Sequence, residues 1–169
     1  MLALIAAALA ASAPAPLDAS RPWWERITVT VDDKGAEQSC KYESSLSAKG
    51  VEVCDDKASG VKERDAQGRS GLYSKLTFER RFSPGGKLDS GRLQPGDKLL
   101  ARQVLFLTIV ADGSVQSCRV VATSGDMLPD YGCEEARAEK FRAQASGAAE
   151  ATRQAFMTVL VYGHTEQIA

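Results

Sequence analysis

The chain has 169 residues, 44% of them apolar and 25% charged, with a formal net charge of −1. That length holds one ordinary domain or two small ones, and the composition is that of a soluble globular protein. Its 21 basic and 22 acidic residues are interleaved, so no basic face offers a footprint for nucleic acid and no like-charge run marks a membrane-surface helix.

The first eleven residues, MLALIAAALAA, form an apolar run too short to span a bilayer. Ala11-Ser12-Ala13 follows, the small-x-small pattern of a signal-peptidase site, and then Pro14 and Pro16. Residues 1–13 therefore read as a cleaved signal peptide, which implies a periplasmic protein with no retained membrane anchor. Trp23-Trp24 comes next, two aromatics placed either to pack on a first sheet or to touch a partner. Strand-like segments then fall at 26–32, 37–43 and 73–82, while residues 46–70 are polar and Gly-rich and carry no helix signal. The loop residues Ser83-Pro84-Gly85-Gly86-Lys87 and Pro95-Gly96-Asp97 set a boundary. An N-terminal β-rich unit at 22–82, a linker at 83–98 and a second unit at 99–169 follow from it.

The second unit reads more sharply. An unbroken apolar strand covers 103–111. Asp112-Gly113 supplies a hairpin turn, because Gly accepts the positive φ such turns need. The chain returns over 114–122 with Cys118, Val120 and Ala122 on one face, and breaks at Ser124-Gly125. Asp130 is placed to cap a helix over 131–142. Glu134 and Glu135 lie in its first turn and Lys140 and Arg142 in its last, as the helix dipole favours. Cys133, Ala136 and Phe141 supply its inward stripe. The last strand runs from Phe156 to Tyr162. The order is β-β-α-β.

The chain also repeats itself. Gly35-Ala36-Glu37-Gln38-Ser39-Cys40 matches Gly113-Ser114-Val115-Gln116-Ser117-Cys118 at an offset of 78 residues, and a strand precedes each copy at that offset. Each copy reaches a second cysteine after a similar interval, at Cys54 and Cys133. The fold class expected is α+β, with two diverged copies of a small antiparallel-sheet unit. Four cysteines allow three pairings, and spacing alone does not choose among them. The repeat favours Cys40 with Cys54 and Cys118 with Cys133; four free buried thiols are the competing reading.

The segments Leu105–Val115, Cys118–Gly125 and Pro129–Ala143, the last with its Lys140-Phe141-Arg142 ending, together with Phe156–Tyr162, resemble the C-terminal domain of the TonB family over about residues 97–163. The paired cysteines look like a variant of that family in which a disulfide joins strand and helix. Two features depart from the pattern: Leu99–Gln103 stands where a Tyr-Pro motif is usual, and Gly132-Cys133 opens the helix. The resemblance implies a periplasmic interaction module that binds an extended peptide on its exposed last strand by β-augmentation. The expected contact residues are Phe156, Thr158, Leu160 and Tyr162, or the alternate set Met157, Val159 and Val161. Its partner is a protein or peptide of the envelope, an outer-membrane receptor in energy-dependent transport being the case the family implies.

Other function classes have weaker footing. His164, with Glu166 nearby, is the best candidate for a catalytic base. Asp32-Asp33 and Glu134-Glu135 are adjacent acids that more often cap or solvate. No nucleophile elbow, P-loop or metal triad is present, so neither an enzyme nor a metal or cofactor is expected. The remaining alternative is an envelope-maintenance protein that binds no peptide.

Overall fold

The computed structural model describes residues 15–32, 34, 37–48, 50, 52–54, 73–88, 93–143 and 152–165. The expected signal peptide at 1–13 and most of the polar stretch 46–70 lie outside them. The elements are β1 (Trp23–Val31), β2 (Glu37–Ser44), β3 (Glu52–Val53), β4 (Lys75–Pro84), β5 (Asp97–Ile109), β6 (Val115–Gly125), α1 (Cys133–Ala138) and β7 (Arg153–His164).

Among the described residues all seven strands belong to one sheet, ordered β3-β2-β1-β4-β7-β5-β6, and every pairing between them is antiparallel. The N-terminal segment supplies the first four strands in that order and the C-terminal segment the other three. They meet at β4 and β7, which pair along the whole of β4, from Lys75 opposite His164 to Pro84 opposite Ala155. The expected linker is accordingly shorter than 83–98, because Ser83 and Pro84 belong to β4 and Asp97 opens β5.

Two hairpins share one register. Val29 lies opposite Cys40 and Ile27 opposite Tyr42; 78 residues on, Leu107 lies opposite Cys118 and Leu105 opposite Val120. A register shift falls between Thr30 and Val31 in the first hairpin and between Thr108 and Ile109 in the second, again 78 apart. The third strands follow suit. Phe78 pairs with Ile27 and Leu76 with Val29, as Met157 pairs with Leu105 and Ala155 with Leu107. At the junction, Phe78 opposite Val161 and Phe82 opposite Met157 flank Arg80 opposite Val159 symmetrically.

Strand alternation sends Trp23, Phe82, Leu105, Leu107, Met157 and Val159 to one face, where they form a buried cluster with Tyr131, Ala136 and Phe141. Trp23 stacks on Phe82 with ring centroids 5.4 Å apart, and Phe82 meets Phe141 at 5.2 Å. Further along the same face Ile27, Val29, Leu76, Phe78, Leu100, Ala101 and Val161 form a second cluster. Each fully buried side chain of this size contributes about 1.5–3 kcal/mol of transfer free energy, so these clusters fix which face of the sheet is inward.

The helix is shorter than the sequence pattern suggests. It spans Cys133–Ala138, its N-cap is Gly132, and Glu135 Oε2 accepts the Gly132 N–H at 2.8 Å. Asp130 therefore does not cap it. Glu139 is extended (φ −68°, ψ 151°). Lys140 and Arg142 do not form a last helical turn; the chain there pairs instead with Ser114 and with Leu17. Backbone bonds lock this corner: Phe141 N–H donates to the Gly113 carbonyl (2.9 Å), Leu17 N–H to the Lys140 carbonyl and Arg142 N–H to the Leu17 carbonyl (both 2.8 Å). Gly113 has φ 85°, and a Cβ there would run into the Phe141 carbonyl. Turn conformation and close approach together require glycine.

Candidate interaction surface

Both cysteine pairs are disulfides: Cys40–Cys54 and Cys118–Cys133, with Cα atoms 5.4 and 5.5 Å apart. The first ties β2 to the residue after β3, the second ties β6 to the first residue of α1. Among the described residues no helix is long and apolar enough to cross a membrane.

The expected partner-binding strand is not an edge. β7 is hydrogen-bonded to β4 on one side and to β5 on the other, so its backbone groups are already spent within the chain and β-augmentation on it is blocked. Phe156, Thr158, Leu160 and Tyr162 do share one face, opposite the main core. Thr158 and Leu160 are buried there. Phe156 packs edge-on against Phe106 at 5.3 Å. Tyr162 donates its hydroxyl to Glu79 Oε2 at 3.1 Å. Met157, Val159 and Val161 point to the other face and are core.

Glu79 is the charged centre of that opposite face. Its buried carboxylate also accepts from Arg26 Nε at 2.9 Å and from Arg81 Nε. Burial, reinforced by the Glu79 charge, pushes the Tyr162 phenol up to about 12. Burial alone would lower Arg26, but the hydrogen bond and charge of Glu79 outweigh it and hold Arg26 above its ordinary value. A carboxylate with this many donors is a structural tie between β1, β4 and β7.

On the core face Arg80 has the corresponding place. Its guanidinium lies 5.4 Å from the Trp23 ring centroid and 5.2 Å from that of Tyr131. It bonds Glu25 Oε2 at 2.6 Å and also Glu139 Oε1. Glu139 further accepts the Tyr131 hydroxyl at 3.1 Å, and Glu25 accepts that of Tyr42 at 2.8 Å. Burial works against the Arg80 charge, but Glu25 and its other neighbours raise its pKa overall.

The remaining sequence candidates have local tasks. His164 Nδ1 lies 2.9 Å from Asp97 Oδ1 and joins the end of β7 to the start of β5. Asp32 accepts from the Lys34 N–H and from Gln38 Nε2, closing the first hairpin's turn. Glu135 closes the helix cap while Glu134 is exposed. Asp33 and Glu166 lie outside the described residues. Trp23 is core, whereas Trp24, one residue on, faces the other way beside Arg26 at 4.8 Å.

The true long edge of the sheet is β6. Among the described residues no strand pairs with its outer side. Residues 119–125 are all exposed, including Val120 (46%) and Val121 (43%). A register shift between Val104 and Leu105 leaves Val121 without a partner on β5. It also separates Ala122 from the face shared by Cys118 and Val120. One outward group on this strand is capped: the Cys118 carbonyl accepts from Arg137 Nη2 at 3.2 Å. With a period of two, Val120 presents its N–H and C=O in the same outward direction as Cys118. Arg119 turns to the opposite face, 5.0 Å over the Phe106 ring.

Sequence reading missed Arg119, Val120, Val121 and Arg137. A usable signal was present, since 118–125 reads CRVVATSG, β-prone with a single charge and no proline. No family model, no curated protein and no solved structure matches this chain.

Proposed function

We propose that this chain is an exported, periplasmic protein-interaction module, built from two diverged copies of a small antiparallel-sheet unit, the second TonB C-terminal-like, that holds an extended segment of an envelope protein by β-augmentation at the outer edge of β6. The observation that carries the reading is the outer side of β6 from Arg119 to Ser124, which no strand among the described residues pairs and which is exposed along its length, Val120 and Val121 included. An edge of this kind offers a row of amide donors and carbonyl acceptors that only another extended backbone satisfies in register. The two disulfides support an oxidising compartment. The shared hairpin register at an offset of 78 residues supports the two-copy reading.

The test is selection from a random-peptide library on the full chain, followed by amide hydrogen exchange of each complex. The expected outcome is protection concentrated at 119–124 and a loss of binding in Val120→Pro, which removes an outward N–H. Selected peptides that protect residues elsewhere and bind Val120→Pro unchanged refute the proposal.

A further inference from the structure

The first half of the sheet carries, on its own edge, a worked example of strand addition. β3 pairs antiparallel on the outer side of β2, with Val53 opposite Lys41 and Glu52 opposite Tyr42. The Cys54 N–H then donates to the Cys40 carbonyl at 3.4 Å. Moved on by 78 residues, Lys41 and Tyr42 fall on Arg119 and Val120 of β6, and Cys40 falls on Cys118. On β6 no strand occupies those positions among the described residues. The matching carbonyl, that of Cys118, takes its hydrogen bond from the Arg137 side chain rather than from a backbone N–H. Arg137 thus stands in for the first donor of an absent strand.

Resting on the β-augmentation reading above, we infer that the β6 edge takes an antiparallel segment in the register β3 uses on β2: aliphatic residues opposite Arg119 and Val120, and acidic residues just C-terminal to the position opposite Cys118. The geometry sets both halves of this preference. Residues opposite one another on adjacent strands share a face, and Val120, exposed there, gains an apolar neighbour. The incoming strand's N–H replaces Arg137 on the Cys118 carbonyl. That frees a guanidinium beside the continuing chain, where a carboxylate meets it with charge-assisted hydrogen bonds. In this register the chain's own sequence has Val53 opposite Lys41, the counterpart of Arg119, and Glu52 opposite Tyr42, the counterpart of Val120, and it continues after Cys54 as Asp55-Asp56.

The probe is a synthetic peptide copying residues 48–56 with valine for Glu52, which supplies the aliphatic residue opposite Val120, and serine for Cys54; a second peptide also carries asparagine for Asp55 and Asp56. Both are titrated into the intact, oxidised protein to millimolar concentration and followed by NMR. Amide shifts and protection confined to 118–124 and intermolecular contacts in an antiparallel sense are expected. The acidic peptide should bind about fivefold more tightly than the asparagine peptide, a cross-strand ion pair of ordinary size. In Arg137→Gln that difference should vanish while binding of the asparagine peptide persists. A parallel orientation, no β6 shifts at millimolar peptide, or an unchanged acidic preference in Arg137→Gln overturns the inference. If library-selected peptides still protect β6 in that event, the edge-binding function stands and only its template is wrong. If neither source of peptide reaches β6, both fall.

Discussion

Arg80 should be the most informative single position in the sheet, and Arg80→Met is the substitution to make. Methionine keeps an unbranched stem between the Trp23 and Tyr131 rings. What it removes is the charge that Glu25 and Glu139 share. Cutting one member out of a buried ion-pair network typically costs about 3–5 kcal/mol, because the partners are left without a counter-charge. Here Glu25 and Glu139 remain 14% and 25% exposed and retain their tyrosine hydroxyls. Solvent screening therefore argues for the lower part of the range. Two cation–π contacts at roughly 0.5–1 kcal/mol each are lost as well. A net destabilisation of about 4 kcal/mol is expected at neutral pH.

A second substitution separates this account from a simple packing defect. In Arg80→Met the folded state holds two carboxylates with no cation beside them, whereas the unfolded chain solvates both. Urea unfolding at pH 7 measures the loss, and Glu25→Gln placed in the Arg80→Met background should recover part of it. No recovery in the double variant, or a deficit below about 0.5 kcal/mol, would refute the reasoning.

Other consequences follow from the same geometry. Replacing Cys118 and Cys133 together by serine opens a loop with a sequence separation of 15 and should cost roughly 3 kcal/mol in denaturant unfolding, with the β6 edge loosened because α1 is no longer tied to it. Gly113→Ala puts a Cβ into the Phe141 carbonyl at a positive φ; a loss of at least about 2 kcal/mol is expected, with exchange protection lost first at Phe141 and Arg142. Tyr42 and Tyr162 are both pushed up to about 12 from 10.0, each mainly by burial. Their stabilising effect is therefore complete below pH 10 and is lost as the pH rises from 10 through 12; Tyr162→Phe should flatten part of that alkaline limb.

Much of the fold could be read from the chain because its local signals agree. The mostly apolar runs at 104–109 and 156–161 and the Asp112-Gly113 turn each point to one structure, and the strands appear there with longer ends. The stripe Cys133, Ala136 and Phe141 does reach the core cluster. The helix end was misjudged for a physical reason. Lys140 and Arg142 look like dipole partners of a last turn, but the buried anchor between them, Phe141, is seated by backbone bonds to Gly113 and a short ladder with Leu17. Such long-range bonds leave no local periodicity. The edge was misjudged for a related reason. A final strand looks terminal in sequence, yet sheet order is a long-range property, and β4, from far upstream, pairs with all the side of β7 that a lone unit leaves open.

That last pairing has a consequence for the second unit by itself. Residues 97–169 alone would uncover the β4-facing side of β7 together with Met157, Val159 and Val161, all buried in the intact chain. Unpaired strand edges beside apolar side chains seek partners. In the full protein the partner is β4, whose Arg80 lies opposite Val159 and whose flanking pairs are arranged symmetrically about that point. A second copy of β7 presents the same backbone in the same sense, so the fragment should form a two-fold dimer with Val159 opposite Val159. The substitution is chemically possible because valine needs no counter-charge, whereas a β4 pair would place two Arg80 side chains together. Sedimentation of the fragment, with a cysteine introduced at position 159 to trap the contact, tests it. A folded monomer would mean that β7 does not require a strand on that side, and would refute the expected dimer.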